Sequence, residues 1–166
     1  MDSREPRWGI DIGRVVIDGS AHPHGGDTAF FTGSEQVMLA TPQVPGAIET
    51  IARLVPLFDG RVWLVSKCGP RVQQRSLRWL AHHRFFERTG IPADHVRFCL
   101  RRPDKRTISA ELGLTHLVDD RPDVHQAVRD VVAHRYLFGP QRPGVRAPAL
   151  RTPTWADVEE HLRGSC

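Results

Sequence analysis

A chain of 166 residues that is 40% hydrophobic and 25% charged has the length of one domain with its own core and the composition of a soluble protein. No apolar run approaches the roughly 20 residues that span a bilayer, and the opening Met1-Asp2-Ser3-Arg4-Glu5-Pro6 lacks the basic-then-apolar order of a secretory leader, so a cytoplasmic protein with no membrane partner is expected. The formal net charge of +4 invites a nucleic-acid partner, yet Lys67 and Lys105 are the only lysines among 23 basic residues; that bias reads as codon usage. Arg101-Arg102 and Arg142 to Arg146 lack the interleaved aromatics of a single-strand binder. Nucleic acid is therefore not the expected main ligand.

In chain order, residues 7–12 and 15–18 read as short apolar strands separated by Gly13-Arg14. Residues 19–43, rich in Gly, His, Thr and Pro, hold no sustained period and predict a long loop or small flap. Val44, Ile48, Ile51 and Val55 form a helical stripe from about Pro45 to Leu57, with proline suited to the first turn. Asp59-Gly60 marks a turn before a buried strand over 61–66. A helix follows from about Pro70 with Leu77, Leu80, Ala81 and Phe85 on one face, and Gly90 and Pro92 end it. Residues 95–100, 115–118 and 133–138 predict strands, with helices over 105–112 and from Pro122. The Pro-rich segment 139–153 predicts an ordered wrap or a linker. Thr154 is placed to cap a closing helix over about 155–162.

Strands alternating with amphipathic helices predict a single α/β domain over 1–166, with its core in about 7–138. Its architecture is a Rossmann-like three-layer sandwich with a mainly parallel sheet. In such sheets ligands bind at the carboxyl ends of the strands. Asp11, Ser66 and Asp119-Asp120 all fall at predicted strand ends, and Lys105 opens a predicted helix. These residue types suit phosphoryl chemistry. A carboxylate such as Asp11 can attack phosphorus and split hydrolysis into two steps; Ser66, Lys67, Lys105 and backbone N–H groups can hold the phosphoryl oxygens; Asp119 and Asp120 offer oxygen ligands to Mg2+. Cys68, Cys99 and Cys166 show no metal-site spacing, nor do His82, His83, His116, His125, His134 and His161, which are read as surface or packing residues.

The order Asp, Ser, Lys, Asp-Asp over about 7–138 resembles motifs one to four of the haloacid dehalogenase-like hydrolase superfamily. Arg102-Pro103-Asp104-Lys105 leading to Asp119-Asp120-Arg121-Pro122-Asp123 looks like the matching part of the 5′(3′)-deoxyribonucleotidases. The resemblance implies an Mg2+-dependent phosphomonoester hydrolase working through an aspartyl phosphate. Asp11 would be nucleophile, Ser66 and Lys105 phosphate binders, and Asp11, the Gly13 carbonyl, Asp119 and Asp120 the metal ligands. A nucleotide or sugar phosphate is the implied class of ester.

Two departures qualify it. Gly13 stands where most phosphatases of that superfamily carry a second aspartate as acid/base, leaving Asp18, His22 and His24 as candidate substitutes. The alternative is a catalytically silent relative that binds a phosphorylated ligand or partner. The stretch 19–43 is also too short for a helical cap, which implies an open site, or a lid supplied by a second copy in a homo-oligomer.

Overall fold

The structure, a computed structural model, describes residues 3–23 and 25–166. Six strands, β1 (Trp8–Ile10), β2 (Val62–Lys67), β3 (Val96–Cys99), β4 (His116–Asp119), β5 (His134–Phe138) and β6 (Leu150–Thr152), form one sheet in the order β3-β2-β1-β4-β5-β6. Every pairing in it is parallel. This is a Rossmann-like α/β fold, as the alternation of elements predicts.

The inner strands β1, β2 and β4 are buried on both faces, and the alternation along the sheet feeds two cores. Trp8, Ile10, Val62, Leu64, Val118, Tyr136 and Phe138 pack with α3 (Ala47–Leu54), α4 (Pro70–His82), α5 (Phe85–Thr89) and α8 (Trp155–Ser165). On the other face Trp63, Val65 and Leu117 meet Ile108 of α6 (Asp104–Leu112) and Val124 and Val128 of α7 (Pro122–Val128). Gly9 lets the leucines of this core approach the strand: a Cβ on it would stand 2.5 Å from Leu114 Cδ1, which would have to move.

The Val44-Ile48-Ile51-Val55 stripe packs inward as expected, and Thr154 caps α8 through a reciprocal capping box with Asp157. Four readings need correction. Residues 15–18 are a tight turn, in which the N–H groups of Val15, Val16 and Ile17 all donate to the Ile12 carbonyl and Arg14 is left-handed (φ 62°). The helix from Pro70 ends at His82. Arg84 then adopts φ 55° and delivers Phe85 from a separate helix, so the buried face of α4 is Arg75, Ser76, Trp79 and Leu80 while Ala81 is exposed. The Pro-rich segment ends in the unforeseen strand β6. The flap over 19–43 contains a 3-10 turn, α1 (Gly26–Thr32) and α2 (Glu35–Leu39); both helices are too short to show a period in sequence.

Side chains from α4 and its C-terminal end fasten the flap. The buried Arg75 guanidinium donates from Nε to the Phe30 carbonyl (2.6 Å) and from Nη2 to the Gly33 carbonyl (2.7 Å). Trp79 Nε1 donates to the Thr41 carbonyl (2.9 Å), and His83 Nε2 to that of Leu39 (2.9 Å). Burial lowers the His83 pKa and keeps the ring neutral. Replacing Arg75→Met should cost about 2–3 kcal/mol, since charge-assisted bonds are lost and two carbonyls are left without a donor. Urea unfolding measures the loss, and hydrogen exchange should show protection falling first over residues 26–39.

Candidate active site

The sheet order changes direction between β1 and β4: the chain builds β2 and β3 on one side of β1, then crosses to β4, β5 and β6 on the other. At such a switch point the carboxyl ends of adjacent strands open a crevice. Asp11 directly follows β1, and its N–H still donates to the Val118 carbonyl (3.0 Å), so the ladder with β4 holds it beside Asp119. Both residues continue the alternation of Gly9 and Leu117 and therefore face α6. Lys105, in the first turn of α6, reaches between them: its Nζ lies 2.6 Å from Asp119 Oδ2 and 3.1 Å from Asp11 Oδ1. All three side chains are almost wholly removed from water.

Asp119 is fixed on every side. Its Oδ1 accepts the Arg121 N–H (2.9 Å), and its carbonyl accepts a proton from His125 Nε2 (2.9 Å). Burial lowers the His125 pKa, so the ring is neutral. His125 is a packing residue, as expected, but one with a specific partner in the site. The Asp120 carbonyl accepts from Gln141 Nε2 (2.9 Å), which anchors the Pro-rich segment to the acidic pair. Sequence offered no signal for Gln141, a polar residue in a loop of no period.

Carboxylate oxygens of Asp11, Asp119 and Asp120 lie within 4.8 Å of one another. Lys105 is the cation buried among them, so three acids face one ammonium. Burial, and then the charge of Asp119, pushes the Asp11 carboxyl well above its ordinary range, and Lys105 only partly offsets them. Burial and the charge of Asp119 likewise raise Asp120. Burial pulls the Lys105 pKa down, but the charges of Asp11 and Asp119 outweigh it and the net shift is upward. This hard oxygen set, with more negative charge than its one ammonium neutralises, fits a small divalent cation.

The cluster opens into a pocket of about 400 Å³ whose wall includes Asp11, Gly13, Lys105 and Asp120 with Lys67, Cys68 and Gly69 at the start of α4. The leading N–H groups of a helix have no partner within it and favour an anion. Ser66 is not in that wall: it is buried within β2, beside the Cys68 thiol. The Cys68 thiol is pushed up by burial and is held protonated. Gly13 faces the pocket, and a Cβ on it would meet nothing within 4 Å. Of the candidate substitutes for an acid/base, His22 is turned into the flap, its Nε2 donating to the Val37 carbonyl (2.9 Å). Asp18 pairs with Ser20 at a neighbouring pocket, and His24 lies outside the described residues.

No family model and no curated protein matches the sequence. Solved structures do. A haloacid dehalogenase-like family hydrolase from Xanthomonas campestris superposes with a TM-score of 0.67 at 12% identity, covering 96% of this chain and 95% of that one. The chain has the haloacid dehalogenase-like fold. D,D-heptose 1.7-bisphosphate phosphatase from B. bronchiseptica, complexed with magnesium and phosphate, matches with a TM-score of 0.64 at 15% identity over 96% of this chain and 99% of that one. A HAD family hydrolase from Deinococcus radiodurans R1, with bound phosphate and sodium, matches at 0.63 and 15% over 99% and 97%. Each neighbour is spanned almost end to end. Among the described residues no helix is long and apolar enough to cross a membrane.

Removing the ammonium should expose its structural weight. Lys105→Met leaves Asp11 and Asp119 buried without a cation, and loss of one partner of such a pair costs about 3–5 kcal/mol. The Asp11 carboxyl, already raised by burial and the charge of Asp119, then loses the Lys105 charge that lowers it, so its folded-state pKa stands further above the unfolded one. The folded state takes up protons first, and stability recovers as pH falls. Urea unfolding should therefore show a smaller deficit for the variant at pH 5 than at pH 8.

Proposed function

We infer that the protein is a phosphomonoester hydrolase that works through Asp11 with Mg2+ as cofactor. The observation that carries this reading is the Lys105 ammonium held between Asp11 and Asp119 at the β1/β4 switch point, with Asp120 alongside and an open pocket above. An Asp11 oxygen attacks phosphorus, the bond from phosphorus to the ester oxygen breaks, and an acyl phosphate forms on Asp11. Water then attacks that phosphorus and returns the carboxylate. Lys105 favours the ionised form of Asp11 and neutralises oxygen charge as it develops. Lys67 and the first turn of α4 receive the remaining phosphoryl oxygens, and Ser66 joins them by turning its hydroxyl from Cys68. Asp11, Asp119, Asp120 and the Gly13 carbonyl would hold Mg2+, which when bound screens the repulsion between Asp11 and the incoming phosphate.

The fold neighbours support the reading, since one is a bisphosphate phosphatase complexed with magnesium and phosphate. A small phosphate ester, with a nucleotide or sugar phosphate as the leading class, is the proposed substrate. Wild type should release phosphate from an aryl phosphate with Mg2+, and Asp11→Asn should lose about 10³-fold or more, as nucleophile removal does elsewhere. Equal turnover by the two proteins removes Asp11 from the role.

A second reading, binding without turnover, is favoured by Gly13, where no side chain serves as acid/base. The space around Gly13 admits a carboxylate, and its backbone is outside the left-handed region. Gly13→Asp should therefore raise turnover by about 10²-fold, the lower end of what a positioned acid/base contributes. No gain with an active wild type places the acid/base elsewhere; no phosphate release by either protein favours the binder.

The cation carries a pH signature. Because the Asp11 carboxyl is raised in the ion-free fold, the proton it holds below that value stabilises the fold, and cation binding must expel it. The rise in melting temperature on adding Mg2+ should accordingly be larger at pH 8 than at pH 5. Asp119→Asn should reduce the rise at both.

A further inference from the structure

The mouth of the site carries cations that the buried acidic cluster does not hold. Lys105 is committed to Asp11 and Asp119, yet Arg14, Lys67, Arg102 and Arg121 also line the same pocket. Arg14 is ion-paired with Asp27 on the flap. Arg102 and Arg121 instead share one carboxylate: Arg102 Nη1 lies 3.7 Å and Arg121 Nε 3.4 Å from the two oxygens of Asp123. One carboxylate neutralises one guanidinium, so the pair keeps a net positive charge. The three side chains are 39%, 47% and 52% exposed, and ion pairs so exposed are weak and readily exchanged. Beyond Arg121 the surface continues as an open cleft of about 770 Å³ along the Pro-rich segment, where Arg142 adds a further cation.

We propose that the substrate carries a second phosphate besides the scissile one, bound between the guanidiniums of Arg102 and Arg121 in place of Asp123. This rests on the phosphohydrolase reading for the position of the first phosphate. Two guanidiniums offer a planar fork of donors to each face of a phosphate, a match that a lysine pair does not provide. Arg102 stands in the turn just before α6 and Arg121 at the cap of α7, so the elements that position Lys105 and Asp119 also position the second phosphate. Two kinds of molecule present this chemistry: a small bisphosphate, and the phosphorylated end of an oligonucleotide, whose next phosphodiester would take the second place.

The test compares adenosine 3′,5′-bisphosphate with adenosine 3′- and 5′-monophosphate, by calorimetric binding with Mg2+ and by phosphate release. It uses the full-length wild type and an Arg102→Gln/Arg121→Gln double variant. Wild type should bind the bisphosphate about tenfold or more tighter than either monophosphate, in line with the strength of charge-assisted bonds to phosphate, with the preference appearing in KM. The double variant, altered only at exposed side chains, should keep its circular dichroism and melting temperature and lose the preference to within about twofold. Equal wild-type affinities, or a preference that survives in the double variant, overturn the proposal. A binding preference without phosphate release upholds it and overturns the hydrolase reading instead. A 5′- or 3′-phosphorylated oligonucleotide bound tighter than the bisphosphate, with a steeper salt dependence, identifies a nucleic-acid end as the source of the second phosphate; weaker binding identifies a small molecule.

Discussion

Lys105 determines how the upper face of this protein is built. A carboxylate pair brought side by side by adjacent parallel strands repels, and burial makes the repulsion worse, because the interior screens charge poorly. The ammonium between Asp11 and Asp119 makes the junction of β1 and β4 tolerable at neutral pH. It also couples a helix to two strands, since α6 must stand where its first turn can reach both. The same arrangement leaves the site short of positive charge once Asp120 is counted. A fold that closes its own charge balance has no need of a ligand; this one is left with acidic groups whose pKa values are raised.

Around that centre the chain makes a shallow wall. The flap is bound to α4 by Arg75 and Trp79 and to His83 just beyond it, through carbonyl groups that short helices would otherwise leave without donors. On the other side Gln141 ties the Pro-rich segment to the Asp120 backbone, and β6 secures the far end of that segment to β5. Neither wall closes over the acids. The pocket remains open, and arginines line its rim.

The resemblance in motif order and the likeness in fold agree, although the neighbours share only 10 to 15% of their residues with this chain. At that distance the fold is what is shared, and chemistry has to be argued from the side chains present. Gly13 illustrates the point. The backbone around it is compatible with a carboxylate, and the space is there, yet the side chain is missing.

The strand-helix alternation, the parallel sheet and the stripe of α3 were legible in the sequence, because buried elements of sufficient length repeat their apolar residues at the period of their backbone. So were the positions of Asp11, Lys105 and Asp119, since each lies beside the end or start of such an element. The helices of the flap and the strand β6 were not legible: the flap helices are short and are held by side-chain donors from α4 and His83, distant in sequence, and β6 is a three-residue strand held by backbone pairing with β5 at the end of a proline-rich stretch. Nor could the sequence place Ser66 against Cys68 rather than in the pocket wall, choose His125 and Gln141 as supports for the acidic pair, or bring Arg102 and Arg121 to one carboxylate. Local sequence governs which residues alternate along an element. Which elements become neighbours, and hence which charges must share one space, is decided only when the sheet orders its strands.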